Sequence, residues 1–275
     1  MFNRIKENKV MDMLSEQTIS DFATDGAVKL DGVFTDWVEH LRQGIERNMA
    51  NPSWRERTYQ PDDGTAPFFQ DYCVWSQVPE YQDFVLNSPL GALASELTGS
   101  KTVQIFHDHV LVKEPGSSFP TPWHQDQPYY FVEAKQTVSF WVPLDEVKRE
   151  NCVQYVKGSH KADGLYRPER FNGDALIEND TRQAVPDIAN NPDQFPILGW
   201  DVKPGDAIAF DFRTLHGAAG NNASTRRRAI SFRLVGDEAR VCAEPAKCSP
   251  AFPDLDVPVG SALAGHDFPV LYQAS

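Results

Sequence analysis

From Thr102 onward the chain is written in short runs of β-branched and aromatic residues: TVQIFHDHVLVK, QTVSFWVPL, CVQYV, AIAFDF and AISFRLV. Turn signals separate them (PG, NC, GD and NN), and no helical pattern alternates with them. Neighbouring parallel strands need a crossover of a dozen or more residues, usually a helix. Without such crossovers, these runs are restricted to an antiparallel sandwich or jelly roll, in a chain that is mainly β with flanking helices. Seventeen Phe, eight Tyr and six Trp suit the half-buried faces of such sheets.

Helical periodicity is confined to the residues before this point. In LSEQTISDFATD, residues 14–25, Leu14, Ile19 and Phe22 fall near helical spacing, and Gly26 ends the run. AVKLDGVF reads as a short strand entering a second helix, TDWVEHLRQGIERNMA, where Trp37, Leu41, Ile45 and Met49 recur every four residues as one apolar stripe. Residues 51–75 are rich in Pro, Asp and aromatics and read as loop; LGALASELTG reads as a helix over 90–98. The expected organisation is one domain over 1–275. Residues 1–100 give helical support, 101–242 a β core, and 243–275 a C-terminal extension. The core is interrupted at 160–197 by a polar insertion rich in Pro and Asp, of a length that marks functional lids or disordered segments. No internal repeat or low-complexity tract occurs, and the sequence dictates no oligomeric state.

A chain of 275 residues buries a sizeable core without help from disulfides or a structural metal. Its net charge of −13 argues against nucleic acid as partner, because that binding rests on Lys and Arg neutralising phosphates. Cys73, Cys152, Cys242 and Cys248 form no C-x-x-C pair, so reduced thiols and a cytoplasmic location are expected. The start, MFNRIKENKVMDML, has no apolar h-region of a signal peptide, and no stretch reaches the length of a membrane span. The final LYQAS is not a peroxisomal address. The partner expected is a small-molecule substrate.

Among seven histidines, His124 and Asp126 stand two apart in TPWHQDQPYY, where an extended backbone points both side chains the same way. His216 follows in GDAIAFDFRTLHGAAGNN, read as the end of a strand. Two histidines and one carboxylate on one side of a metal leave three positions open. A non-haem Fe(II) oxygenase needs these for a bidentate co-substrate and dioxygen. Arg227 opens the strand RRAISFRLV, where alternation sends Arg227, Ser231 and Arg233 to one face and Ile230, Phe232 and Leu234 to the other. A guanidinium fork there suits a dicarboxylate, whereas Arg226 and Arg228 have the wrong parity. Taken singly, each residue also reads as an exposed charge or a satisfied turn histidine; their coincidence favours a metal site.

The chain resembles the phytanoyl-CoA dioxygenase family of Fe(II)/2-oxoglutarate oxygenases. The matching text runs from FATDGAVKLDGVF through WHQDQPYY and FWVPLDEVKRENCVQYVKGSHK to PGDAIAFDFRTLHG and RRAISF, and so covers most of the chain. The resemblance implies a double-stranded β-helix, the cupin-like jelly roll, braced by helices on one sheet. It implies iron bound by His124, Asp126 and His216, the distal carboxylate of 2-oxoglutarate on Arg227, and Gln125 and Trp141 near the co-substrate. Ala218 departs from relatives that carry Ser two residues after the second histidine. The implied reaction consumes O2 and 2-oxoglutarate, releases succinate and CO2, and hydroxylates a C–H bond. Relatives that halogenate lack the carboxylate, so the intact Asp126 implies hydroxylation.

For the substrate, His107 and His109 share one strand face, Tyr129 and Tyr130 follow the HQD, and Arg233 has the parity of Arg227. The FHDHVLVKEPG and TPWHQDQPYY text is similar to bacterial members that hydroxylate small phosphonates, 2-aminoethylphosphonate or its trimethylated form. Histidines and Arg233 suit a phosphonate, and tyrosine faces suit a quaternary ammonium. Another small metabolite or an acyl-CoA is the alternative within this class. Two rivals lie outside it. One is a cupin-type metalloprotein built on His107, His109, Glu114 and His216; the other is a jelly-roll binding module without catalysis.

Overall fold

The computed structural model describes residues 13–62, 64–169 and 176–274. The start that reads as lacking a leader thus lies largely outside the described residues, as do 170–175 within the insertion. Its helices are α1 (Glu16–Asp25), α2 (Val38–Ala50), α3 (Pro79–Asn87) and α4 (Leu90–Thr98). The strands of the first half are β1 (Ala27–Leu30), β2 (Phe68–Tyr72), β3 (Thr102–Lys113), β4 (Thr121–His124), β5 (Val132–Glu133) and β6 (Thr137–Pro143). Those of the second are β7 (Val153–Val156), β8 (Ile197–Leu198), β9 (Ala207–Phe210), β10 (His216–Ala218), β11 (Arg227–Val235), β12 (Arg240–Val241) and β13 (Val270–Gln273).

The larger sheet runs β1-β9-β6-β11-β3-β13, with β2 also on the outer edge of β3. The smaller runs β4-β10-β7-β8, and β5 pairs with β12. Each pairing is antiparallel, as the turn signals require. Two antiparallel sheets with helices on the outer face of the larger one make the expected double-stranded β-helix. Among the described residues no helix is long and apolar enough to cross a membrane.

Alternation along the strands sorts the chain into layers. Ile230, Phe232 and Leu234 of β11 join Leu41, Ile45, Phe84 and Leu93 in the helix-side core. Burying each such side chain is worth about 1.5–3 kcal/mol, so a polar substitution on this face breaks the helix–sheet contact. The other face of β11 carries Arg227, Ser231 and Arg233 into the space between the sheets, as alternation predicts. A bulge adjusts β3: Arg233 faces His107 and Leu234 faces Ile105, so Phe106 is the extra residue. Phe106 packs with Phe131, Phe252 and Phe268 at one end of the barrel, while Val103 and Ile105 stay on the helix side.

Ser15 caps α1, its Oγ accepting from the Thr18 N–H at 3.1 Å, and Gly26 closes it at φ 81° with its N–H on the Phe22 carbonyl. Three stretches depart from the sequence-based expectation. The strand begun at Ala27 stops at Leu30, where Asp31 and Gly32 turn the chain. The loop read over 51–75 contains β2, whose FFQDY lacks alternation because four of its five residues are buried. Helix α3 is too short for its Tyr81, Phe84 and Val85 to show a period, although Pro79 sits in its first turn.

Candidate active site

Strands β4 and β10 lie side by side, with His124 directly opposite His216. The backbone N–H groups of Asp126 and Gln127 both donate to the Phe212 carbonyl, at 2.8 and 2.9 Å, which pins the turn after β4. His216 opens β10 rather than ending a strand, because residues 211–215 make the turn. The two imidazole centroids are 4.2 Å apart. Asp126 Oδ1 lies 3.6 Å from His124 Nε2 and 3.8 Å from His216 Nε2.

The far side of each ring explains its tautomer. His124 Nδ1 donates to the Pro122 carbonyl at 2.8 Å, and His216 Nδ1 to that of Thr214 at 2.9 Å. A carbonyl only accepts, so each proton sits on Nδ1 and each Nε2 lone pair faces Asp126. Among the described residues, His124, Asp126 and His216 are the group whose ligand atoms converge, within 4.8 Å of one another. Burial pushes the Asp126 carboxyl up. The Arg233 charge outweighs this and holds it well below the usual carboxylate range. Burial, with His124 beside it, pushes His216 down to about 3. With His216 neutral, Asp126 ionised and both Nε2 atoms turned to the carboxylate, the set has the donor chemistry of a two-histidine, one-carboxylate iron centre.

A cavity of about 530 Å³ opens in front of this set. Arg227 lines it with its side chain buried, Nη1 donating to the Asn151 carbonyl. Among the described residues no carboxylate pairs with it, and burial lowers it to about 10, so it remains a cation at neutral pH. Its cross-strand partner Lys113 is fully buried, with Nζ on the carbonyls of Phe119 and Ala219 at 2.7 and 3.0 Å. Arg226 and Arg228 turn away as their parity requires. Arg226 pairs with Glu114 at 2.8 Å and Arg228 with Asp145 at 2.7 Å. Trp141, from β6, lines the cavity.

Gln125 departs from expectation. It points away from the cavity, its amide nitrogen donating to the Arg213 carbonyl at 2.7 Å and its oxygen accepting from the Tyr166 N–H at 2.9 Å. Parity is the reason: if His124 and Asp126 face inward, the residue between them faces outward. Its work is to tie the start of the insertion to the turn before His216.

His107, His109, Tyr129, Tyr130 and Arg233 all line the cavity. Arg233 Nε donates to Tyr130 Oη at 2.8 Å and lies 3.4 Å from Asp126 Oδ2, so it bridges the metal-ligand set and the inner wall. Tyr129 Oη donates to the Glu169 carbonyl at 2.7 Å and clamps the insertion. The cupin-type grouping does not form: His107 and His109 stand apart from His216, and Glu114 is spent on Arg226. Sequence reasoning missed Gln70 and Tyr72 of β2, and Arg55 and Arg57 in the preceding loop, all of which line the cavity. The signal was present in β2, where Gln70 and Tyr72 share one parity and Asp71 has the other.

Comparison with known proteins agrees with this geometry. The family model described as phytanoyl-CoA dioxygenase matches residues 22–229. A probable alpha-ketoglutarate-dependent hypophosphite dioxygenase from Stutzerimonas stutzeri is 28% identical over 131 residues, 47% of this chain. The match spans only 43% of that relative's length. Two solved structures from nogalamycin biosynthesis share the fold. The carbocyclase SnoK has a TM-score of 0.73 at 22% identity, covering 94% of this chain and 97% of its own. The epimerase SnoN, in complex with Fe3+, alpha ketoglutarate and nogalamycin RO, has a TM-score of 0.75 at 21% identity, covering 93% and 98%. With a family model spanning most of the β core and the helices that brace it, the chain belongs to the phytanoyl-CoA dioxygenase family of iron(II)- and 2-oxoglutarate-dependent oxygenases.

Proposed function

We propose that this chain hydroxylates an aliphatic C–H bond of a small anionic metabolite, with 2-aminoethylphosphonate or its trimethylammonium analogue as the leading substrate class. The observation that carries the anion is the charge of the cavity wall. In a chain of net charge −13, Arg55, Arg57, Arg167, Arg227 and Arg233 line the cavity against Asp126 and Glu169. Glu169 is taken by Arg167 at 2.7 Å, and Asp126 belongs to the metal-ligand set. Among the described residues no carboxylate pairs with Arg55 or Arg57. The partial likeness to a hypophosphite dioxygenase supports a phosphorus oxyanion over a carboxylate.

In this reading His124, Asp126 and His216 hold iron(II), while Arg227 holds the distal carboxylate of 2-oxoglutarate beside Trp141. With both bound, the chemistry supplied is insertion of one oxygen atom of O2 into a C–H bond, coupled to decarboxylation of 2-oxoglutarate to succinate. Asp126 fills the position that a halide would need, so hydroxylation is the outcome. The residues' own work is positional. Arg233 and the histidines of β3 hold the substrate anion, so that the carbon attached to it faces the open side of the metal-ligand set. Gln125 acts at one remove, by fixing the insertion. The domain is read as one oxygenase unit, with 160–197 as a cover over the site.

A succinate-release screen of the anaerobically loaded enzyme tests this, exposing it to O2 with small phosphonates, sulfonates, carboxylates, amines and acyl-CoA thioesters. Phosphonate-dependent succinate is the expected result. Release driven only by neutral or cationic metabolites, or by acyl-CoA, overturns the anion assignment.

A further inference from the structure

At the inner end of the cavity, hydrogen-bond roles are fixed by neighbouring atoms. His107 Nδ1 lies 3.1 Å from the Asp108 carbonyl, which only accepts, so the ring proton sits there. Nε2 is then a bare lone pair, and it is buried without a partner among the described residues. Gln70 is constrained in the opposite sense. Its Oε1 accepts from His109 Nε2 at 2.9 Å and from Tyr72 Oη at 3.1 Å, which leaves its buried amide nitrogen as an unused donor. Ser231 Oγ is a third buried polar atom without a partner among the described residues. Strand register brings these together, with Arg233 directly opposite His107 and Ser231 opposite His109. All of them line the cavity.

A buried polar atom left unpaired is costly, so this constellation describes its guest. Arg233 and the Gln70 amide ask for acceptor oxygens, and the Ser231 hydroxyl can meet an oxygen or a proton. Of the three unpartnered atoms, His107 Nε2 is the one that can only accept a hydrogen bond. A carboxylate brings oxygens and no proton, and so does a sulfonate, although its shape is that of a phosphonate. A phosphonate monoanion brings oxygens and one P–OH. Resting on the anion-substrate reading above, we infer that His107 is a specificity-determining residue. Its Nε2 accepts a hydrogen bond from the P–OH of a tetrahedral oxyacid, the proton staying on the ligand, so the site takes the phosphonate monoanion and rejects the isosteric sulfonate. Burial and the Arg233 charge push His107 down to about 3, which keeps the lone pair free at any working pH.

The test is calorimetric titration of the enzyme loaded anaerobically with Fe(II) and 2-oxoglutarate, using 2-aminoethylphosphonate and 2-aminoethylsulfonate at pH 6. A phosphoryl group near its second ionisation, about 6, keeps much of its proton there, whereas a sulfonate keeps none. The wild type should bind the phosphonate about 10- to 100-fold more tightly, the cost of opposing a lone pair with an oxyanion. His107→Gln presents an N–H as readily as an oxygen, and should bring the two ligands within about threefold, mainly by improving the sulfonate. The 2-oxoglutarate charge-transfer band reports that the variant is folded and loaded; His107→Asn takes its place if that band is lost. Equal binding by the wild type, or a preference that survives both substitutions, overturns the role of His107 and leaves the anion reading standing. If neither anion binds while another class of metabolite drives succinate release, the anion reading fails and this inference with it.

Discussion

Arg227, proposed above to hold 2-oxoglutarate, is a buried cation whose cost an anion would offset. A guanidinium buried without a carboxylate is costly unless an anion arrives to meet it. Losing one partner of such a pair costs about 3–5 kcal/mol, so Arg227→Ala should weaken 2-oxoglutarate by roughly two to four decades. Iron affinity should change far less. Arg227→Lys should recover part of the loss, because an ammonium lacks the planar fork. Arg228→Ala should leave 2-oxoglutarate binding unchanged, since its guanidinium is spent on Asp145 and Glu46. The charge-transfer band of anaerobic Fe(II) enzyme gives each constant, and a normal value for Arg227→Ala would refute the assignment. Arg227 was legible from strand parity alone. Gln125 was not, because family likeness pointed inward while the parity of its neighbours pointed outward.

At the scale of elements, the insertion and β2 build the wall that the strands of the core leave open. Tyr129 and Gln125 hold the insertion at Glu169 and Tyr166, and Leu176 and Val185 reach the cavity from its far part. If the insertion covers the site, 2-oxoglutarate and substrate together should slow hydrogen exchange across 160–169 and 176–197. Tyr129→Phe, which removes the hydroxyl held between the Glu169 carbonyl and N–H, should blunt that protection. Exchange unchanged by either ligand would show that the segment is a fixed wall. Its position and length could be read from composition; its contacts could not, because a polar loop without periodicity carries no signal for what it packs on.

The molecule as a whole carries charge where burial makes it pH-sensitive. Asp108 is fully buried on the helix side of β3, its Oδ1 accepting from the Trp75 N–H at 2.9 Å and its Oδ2 without a hydrogen-bond partner among the described residues. Burial raises it from 3.8 to about 7. With the folded value above the unfolded one, the folded state binds the extra proton between these limits. The contribution is thus full below about 3.8 and is lost as pH rises through about 7. Between pH 5 and 8 the wild type should lose roughly 2–3 kcal/mol relative to Asp108→Asn, whose amide does not titrate. Urea unfolding of both proteins across that range measures it, and parallel curves would show that Asp108 stays ionised. Lys113 works in the opposite sense. Burial, then Arg227, lowers it from 10.5 to about 6, so its cost is present below 6 and is relieved as pH rises towards 10.5.

The sequence by itself determined the antiparallel core, the braced helices, and the shared face of His124 and Asp126. It also determined which arginines of RRAISFRLV look inward. All of these follow from periods of two and about four along a local stretch of chain. Only the tertiary structure decided that His216 meets His124 across β4 and β10, and that β2 completes the cavity wall. It alone decided that a bulge at Phe106 sets His107 opposite Arg233, and that carbonyls of Pro122, Thr214 and Asp108 choose the tautomers of three histidines. Those outcomes depend on which strands pair and in what register. Register is a property of distant segments meeting, which no local pattern contains.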